Sequence, residues 1–186
     1  MPRASRTRRV FLIGFMGVGK TTAGRALAQR LGWTFQDLDD AIEHRAGQKV
    51  AAIFASQGET GFRRVESAAL HELLAEKSGE PGMIVALGGG AYVQPENRLA
   101  LDNAGAVTVL LEAPLEELRR RCAQDDAGDT RPLARDAQKF AELLARRQED
   151  YQRAQLRVDT MGKSVEQVAS EIEGMLRDVI RPEVEE

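Results

Sequence analysis

Cysteine is almost missing from this chain. Cys122 stands alone, so no internal disulfide can form and the fold must rest on a buried core. That fits a reducing compartment, and the expected location is the cytoplasm. With no His nearby in sequence and Arg119, Arg120 and Arg121 before it, Cys122 reads as a helix residue rather than a nucleophile. Aromatics are also few, at 5%, they are not interleaved with basic residues, and the net charge is −3. That excludes a global basic field of the kind that binds nucleic acid. No apolar stretch approaches the roughly 20 residues needed to span a bilayer, so no membrane partner is expected. What remains, 42% hydrophobic and 30% charged over 186 residues, is the composition of a single globular domain.

The N-terminus is ambiguous. Arg3, Arg6, Arg8 and Arg9 precede an apolar run, Thr7 to Leu12 looks like a twin-arginine export signal, and Ala26-Leu27-Ala28 could pass for a cleavage site. Cleavage there would remove Lys20, which also interrupts the required hydrophobic region. Residues 1–9 are therefore read as a solvated basic leader and the protein as unexported.

The string Gly14 to Thr22, GFMGVGKTT, satisfies the pattern G-x-x-x-x-G-K-[ST] through Gly14, Gly19, Lys20 and Thr21. In such a loop, backbone N–H groups around Gly17, Val18 and Gly19 turn toward one anionic centre, Lys20 reaches the β- and γ-phosphates, and the Thr21 hydroxyl joins a Mg²⁺ shell. The context agrees. Val10 to Ile13 is a short apolar run of strand type, and Ala23, Ala26, Leu27 and Leu31 recur at helical spacing behind the loop.

Further strand-length runs appear near Trp33 to Phe35, at Met83 to Leu87, at Ala106 to Leu111 and near Leu156 to Val158, alternating with helical patterns. This alternation predicts an α/β fold with a parallel sheet covered by helices. The stretch from Asp40 to Pro81 holds helical patterns and no strand, and reads as an insertion of about residues 37–80 over the sheet's carboxyl edge. Gln124 to Asp136, rich in charge with Gly and Pro, is either a mobile lid or an ordinary surface loop. Ala137 to Ala154 is a charged amphipathic helix, and Ser164 with Gln167 forms a capping box for the last one. The acidic end, Glu183 to Glu186, is expected to fray.

Switch and motor motifs are wanting. The third run ends in Leu87-Gly88-Gly89-Gly90 with no carboxylate, and the two asparagines, Asn97 and Asn103, supply no N-K-x-D. Carboxylates stand instead after the second run, at Asp37-Leu38-Asp39-Asp40. Asp37 and Asp39 alternate as a strand end does, so one can approach Mg²⁺ while the other accepts a proton from an attacking hydroxyl. Equally, Asp39 or Asp40 can simply cap the next helix. Arg63 and Glu66 share a helix face as either a surface ion pair or part of a carboxylate clamp. Gly88, Gly89 and Gly90 form either a tight turn or a bare backbone open to hydroxyls.

Taken in order, the P-loop, Asp-x-Asp, Gly-Phe-Arg-x-x-Glu, Gly-Gly-Gly and Arg-Pro-Leu resemble the shikimate kinase family over nearly the whole chain. The resemblance implies a three-layer P-loop fold with a five-stranded parallel sheet, a helical substrate-binding insertion and a mobile lid. It also implies transfer of the ATP γ-phosphoryl group, with Mg²⁺, to the 3-hydroxyl of shikimate, and a monomer is expected. By the same resemblance Asp39 is the base and Asp37 an outer-shell Mg²⁺ ligand. Arg63 and Arg147 clamp the shikimate carboxylate, Gly89 meets a ring hydroxyl between Gly88 and Gly90, and Glu66 orients either the arginine or a hydroxyl. Phe54 and Phe62 wall the ring. Arg131 closes onto the phosphates with Lys20 and Thr22, and Arg121 with Lys163 in the loop Asp159 to Ser164 holds adenine. Arg147 stands in Arg-Gln-Glu-Asp-Tyr, with Glu149 where the family usually has proline, so Arg146 and Arg147 are separated only by spacing to Tyr151. Met161-Gly162-Lys163 lacks the arginines and proline common in that loop. A gluconate or nucleoside-monophosphate kinase is the alternative enzyme, and a regulatory ATP-binding module the alternative class.

Overall fold

The computed structural model describes residues 9–76, 81–124 and 136–180. Five strands, β1 (Arg9–Ile13), β2 (Thr34–Asp37), β3 (Met83–Ala86), β4 (Val107–Glu112) and β5 (Leu156–Asp159), form one parallel sheet in the order β2-β3-β1-β4-β5. Around it lie α1 (Lys20–Leu31), α2 (Leu38–Ala46), α3 (Val50–Ala75), α4 (Pro95–Asn103), α5 (Leu115–Gln124), α6 (Ala137–Tyr151) and α7 (Val165–Ile180). All five residues of β1 are buried, and β4 is buried from Val107 to Leu111. A strand covered on both faces has no polar side to alternate, which is why these two read as mainly apolar runs, with Arg9 and Thr108 the buried polar exceptions among those positions.

The P-loop joins β1 to α1 through three glycines with positive φ, Gly14 (145°), Gly17 (79°) and Gly19 (95°). Gly19 also serves as the N-cap of α1 and provides no side-chain acceptor, so the first turn's N–H groups have no capping side chain there. The insertion is helical, as expected, and consists of α2 and α3. Inside α3 the helix breaks at Gly58 (φ 67°, ψ −174°), which sets the turns carrying Phe54 and Phe62 at an angle to each other. The last helix starts with the expected capping box: Gln167 N–H donates to Ser164 Oγ at 3.2 Å, and Ser164 N–H to Gln167 Oε1 at 2.8 Å.

Two expectations change. Arg9 is not part of a solvated leader; it opens β1, is 4% exposed, and donates to the carbonyls of Leu74 and Glu76 at the end of α3. Asp37 and Asp39 do not alternate along one strand. β2 ends at Asp37, which is the N-cap of α2 and accepts from Asp39 N–H at 3.0 Å, while Asp39 lies in the first helical turn. The capping residue is thus Asp37 rather than Asp39 or Asp40. The segment read as a lid, with Arg131, lies outside the described residues apart from its end residues Gln124 and Asp136, as do Arg3, Arg6, Arg8 and the tail Glu183 to Glu186.

Candidate active site

A cavity of about 580 Å³ opens at the carboxyl ends of β1, β2 and β3, where the crevice of an open α/β sheet is expected. The P-loop forms one wall with Gly17, Gly19, Lys20, Thr21 and Thr22. Asp37, Asp39 and the insertion residues Phe54, Phe62, Arg63 and Glu66 form another, and Gly88 to Gly90 with Arg147 close it. A second cavity of about 390 Å³ lies between Val18, Thr160, Gly162 and Lys163 and shares Gly19, Thr22 and Arg121 with the first. The P-loop mouth is therefore the junction of two chambers.

At that junction Lys20 Nζ donates to the carbonyls of Gly14 (2.9 Å) and Phe15 (3.1 Å), which stretches its side chain back across the loop. Thr21 Oγ1 donates to Asp37 Oδ2 at 2.7 Å, while Oδ1 of the same carboxylate holds Asp39 N–H. One carboxylate thus ties the P-loop helix to the start of α2. Its oxygens and the Thr21 hydroxyl are hard donors of the type that suits Mg²⁺, and two protein groups leave the rest of an octahedral shell to phosphates and water.

The three glycines after β3 prove to be clearances for protein side chains. A Cβ on Gly88 would lie 3.0 Å from Glu66 Oε1 and 3.1 Å from Asp39 Oδ1. On Gly89 it would lie 3.0 Å from Arg147 Nη1, and on Gly90 2.4 Å from both Arg63 Nη1 and Nη2. None of the three has positive φ, so close approach, and not turn geometry, is what requires glycine here. Gly88 admits both carboxylates and Gly89 and Gly90 admit one guanidinium each, so two carboxylates and two guanidiniums surround one space.

Glu66 is 1% exposed and receives Arg63 Nη1 at 2.7 Å, so the pair is a buried one and not the surface ion pair its spacing also allowed. Burial raises the Glu66 carboxyl above its ordinary 4.5, opposed by Arg63. Asp39 is reached by solvent through the cavity, yet the surrounding walls desolvate its carboxyl and raise it above 3.8. The charge of Asp37 adds to that rise, while Lys20 works against it. Phe54 stacks on Phe62 with ring centroids 4.2 Å apart, and the Arg63 guanidinium lies 5.2 Å from the Phe62 ring centre. Arg147 packs over Phe15 at 5.8 Å and lines the cavity, whereas Arg146 is exposed on α6 and does not.

In the second chamber, Arg121 is braced from three sides. It donates to Glu117 (2.7 Å), to the Val18 carbonyl (3.3 Å) and to Thr160 Oγ1 (2.9 Å). Lys163 pairs with Glu171 at 2.5 Å. Sequence reasoning missed Met16, Val50, Leu87, Gln124 and Leu143, which also line the main cavity. Two of them were within reach: Leu143 is one helical turn before Arg147 and Val50 one turn before Phe54, so each shares its partner's face. Tyr151, read only as a spacing mark, donates its hydroxyl to the Gly89 carbonyl. Among the described residues no helix is long and apolar enough to cross a membrane.

A parallel sheet with a phosphate loop facing a carboxylate and arginine cluster across one cavity defines a P-loop kinase acting on a small molecule. A protein-family model described as shikimate kinase matches residues 16–177. Shikimate kinase of Geobacter metallireducens is 43% identical over 92% of this chain and 93% of its own length, and that of Geobacter sulfurreducens 44% over 92% of each. A solved shikimate kinase from Acinetobacter baumannii, in complex with shikimate, superposes with TM-score 0.82 at 33% identity, covering 96% of both chains. The chain belongs to the shikimate kinase family.

Proposed function

We propose that this chain transfers the γ-phosphoryl group of Mg²⁺-bound ATP to the 3-hydroxyl of shikimate, giving shikimate 3-phosphate and ADP. The observation that carries this reading is the convergence, across three successive glycines, of Asp39 with Glu66, Arg147 and Arg63 on one cavity beside the P-loop. Two guanidiniums suit a carboxylate, and a desolvated aspartate suits a hydroxyl.

In the proposed reaction the acceptor oxygen bonds to the γ-phosphorus as the bond to the β,γ-bridging oxygen breaks. Asp39 takes the hydroxyl proton and ADP carries away the leaving oxygen's charge. Lys20 exchanges the Gly14 and Phe15 carbonyls for phosphate oxygens, and first-turn N–H groups of α1 face the same anion. Mg²⁺ would be held by Thr21 directly and Asp37 through water, where it would neutralise phosphate charge. Arg63 and Arg147 hold the acceptor carboxylate, Glu66 fixes Arg63, and Phe54 and Phe62 flank the ring. Gly17, Val18 and Thr22 complete the phosphate cradle, while Arg121 and Lys163 border adenine. Arg131 is assigned to the phosphates by the family resemblance alone. We further assign the protein to the cytoplasm as a monomer, in keeping with its single cysteine, which is buried.

A coupled ADP-release assay with Mg²⁺-ATP and shikimate, gluconate or nucleoside monophosphates tests the assignment. Turnover with shikimate is expected. Turnover with another acceptor and none with shikimate overturns it, and a flat signal with every acceptor leaves a nucleotide-binding module.

A further inference from the structure

We propose that Arg98 is a positioning residue for the acceptor chamber, tying the loop after β3 to helix α6 so that Gly89 and Arg147 keep their spacing. The kinetic part of its test rests on the acceptor reading above. The loop from Gly88 to Gln94 has little regular structure of its own, and its internal bonds are turns, Ala91 N–H to Gly88 (3.1 Å) and Gln94 N–H to Ala91 (3.4 Å). The opening turn of α4 holds it from behind. Asn97 Nδ2 donates to the Ala91 carbonyl at 2.9 Å, and Arg98 Nη1 donates to the carbonyls of Tyr92 (2.9 Å) and Val93 (2.8 Å).

Arg98 then reaches further. The same Nη1 lies 3.0 Å from Asp150 Oδ1 on α6, with side chains 16% and 25% exposed, so the pair is sheltered from the screening that weakens surface ion pairs. Asp150 is three residues past Arg147 and next to Tyr151, whose hydroxyl donates to the Gly89 carbonyl. Helix α6 is thus fastened to the loop at two adjacent points, Tyr151 on Gly89 and Asp150 on Arg98. Between them they fix the helix turn from which Arg147 enters the space left by Gly89. A carboxylate clamp depends on angstrom-scale placement of both guanidiniums, so loosening one fastening is felt at the acceptor and not at the nucleotide.

The test uses the full chain with Arg98→Ala, Arg98→Lys, Asp150→Asn and the Arg98→Ala/Asp150→Asn double variant. We expect Arg98→Ala to raise KM for shikimate about 10-fold while KM for ATP stays within about 2-fold. Arg98→Lys, which keeps a charged donor, recovers most of the loss. The double variant is no worse than Arg98→Ala, as for partners in one interaction. Hydrogen exchange on the unliganded chain gives a readout that needs no acceptor: Arg98→Ala should lose protection in 88–94 and at the end of α6, with α1 and α7 unchanged. Equal rises in both KM values, or protection lost across the whole sheet, would show a general stability role and overturn the proposal. If the wild type ignores shikimate while the exchange loss stays local, the acceptor assignment falls and the tether stands. Wild-type exchange in Arg98→Ala removes the tether whatever the acceptor.

Discussion

The Arg63 guanidinium fills the space that a side chain on Gly90 would need: a Cβ there would sit 2.4 Å from Nη1 and from Nη2. The obstacle is the far end of a flexible side chain, so Gly90→Ala leaves the fold intact and moves the guanidinium instead. Displacing one arm of the carboxylate clamp by about 1 Å is expected to cost about 10- to 100-fold in acceptor affinity. Steady-state kinetics should show the loss in KM for shikimate, with circular dichroism and KM for ATP unchanged. An unaltered KM for shikimate would take Arg63 out of the acceptor site.

Asp39 offers a test by pH. Its carboxyl is raised from 3.8, first by desolvation and then by the charge of Asp37, with Lys20 opposing. As the proton acceptor it must be ionised, so the acid limb of the turnover profile should lie above the ordinary aspartate range and the rate should rise with pH through it. Asp39→Asn should abolish turnover and with it the limb. A limb at 3.8 or below would mean that the cavity walls do not shape the base.

Glu66 carries the same physics into stability. Buried and raised from 4.5, it keeps its proton in the folded chain over a window of pH where the unfolded chain has already lost it. Within that window the unfolded state binds fewer protons, so stability of the unliganded protein falls as pH rises, and the penalty is complete above the folded value. Glu66→Gln should flatten that slope in a series of melting temperatures taken upward from about pH 4.5. An unchanged slope would place the titration elsewhere.

The order of strands and helices was legible because the sheet is parallel and covered, which turns β1, β3 and β4 into short, mainly apolar runs. The P-loop was legible because its glycines are demanded by positive φ, a local property. The triple glycine was harder. Its reason is the arrival of Asp39, Glu66, Arg147 and Arg63 from distant segments, and no local pattern announces what a missing Cβ makes room for. Arg9 was misread for a related reason: it follows basic residues in sequence, but its partners, the carbonyls of Leu74 and Glu76, are supplied by the far end of α3. Asp37 was placed correctly at the end of β2 but in the wrong relation to Asp39, since a helix begins between them where alternation had extended the strand.

Gly174 makes a contrast with Gly90. It lies in the exposed interior of α7, its φ is not positive, and a Cβ there would meet no atom within 4 Å. Glycine in a helix interior costs roughly 0.5–1 kcal/mol relative to alanine through backbone entropy. Gly174→Ala should therefore stabilise the chain, raising its melting temperature by about 1–4 °C without touching either KM. A lower melting temperature would show that α7 needs the glycine for a reason other than space.

Arg9 joins the first strand to the helix that carries the acceptor groups. Its guanidinium donates to the Leu74 and Glu76 carbonyls, where the last turn of α3 leaves acceptors without helical partners, and the positive charge also lies favourably at a helix C-terminus. The side chain is 4% exposed, so its removal takes two sheltered hydrogen bonds from those carbonyls. Arg9→Met keeps most of the apolar volume and removes only the donors, which makes the expected loss about 1–3 kcal/mol in chemical denaturation. Because Arg63 and Glu66 sit about two to three turns before the clamped end of α3, the variant should change stability more than KM. If stability is unchanged, the two bonds from Arg9 to the end of α3 contribute nothing net to the fold.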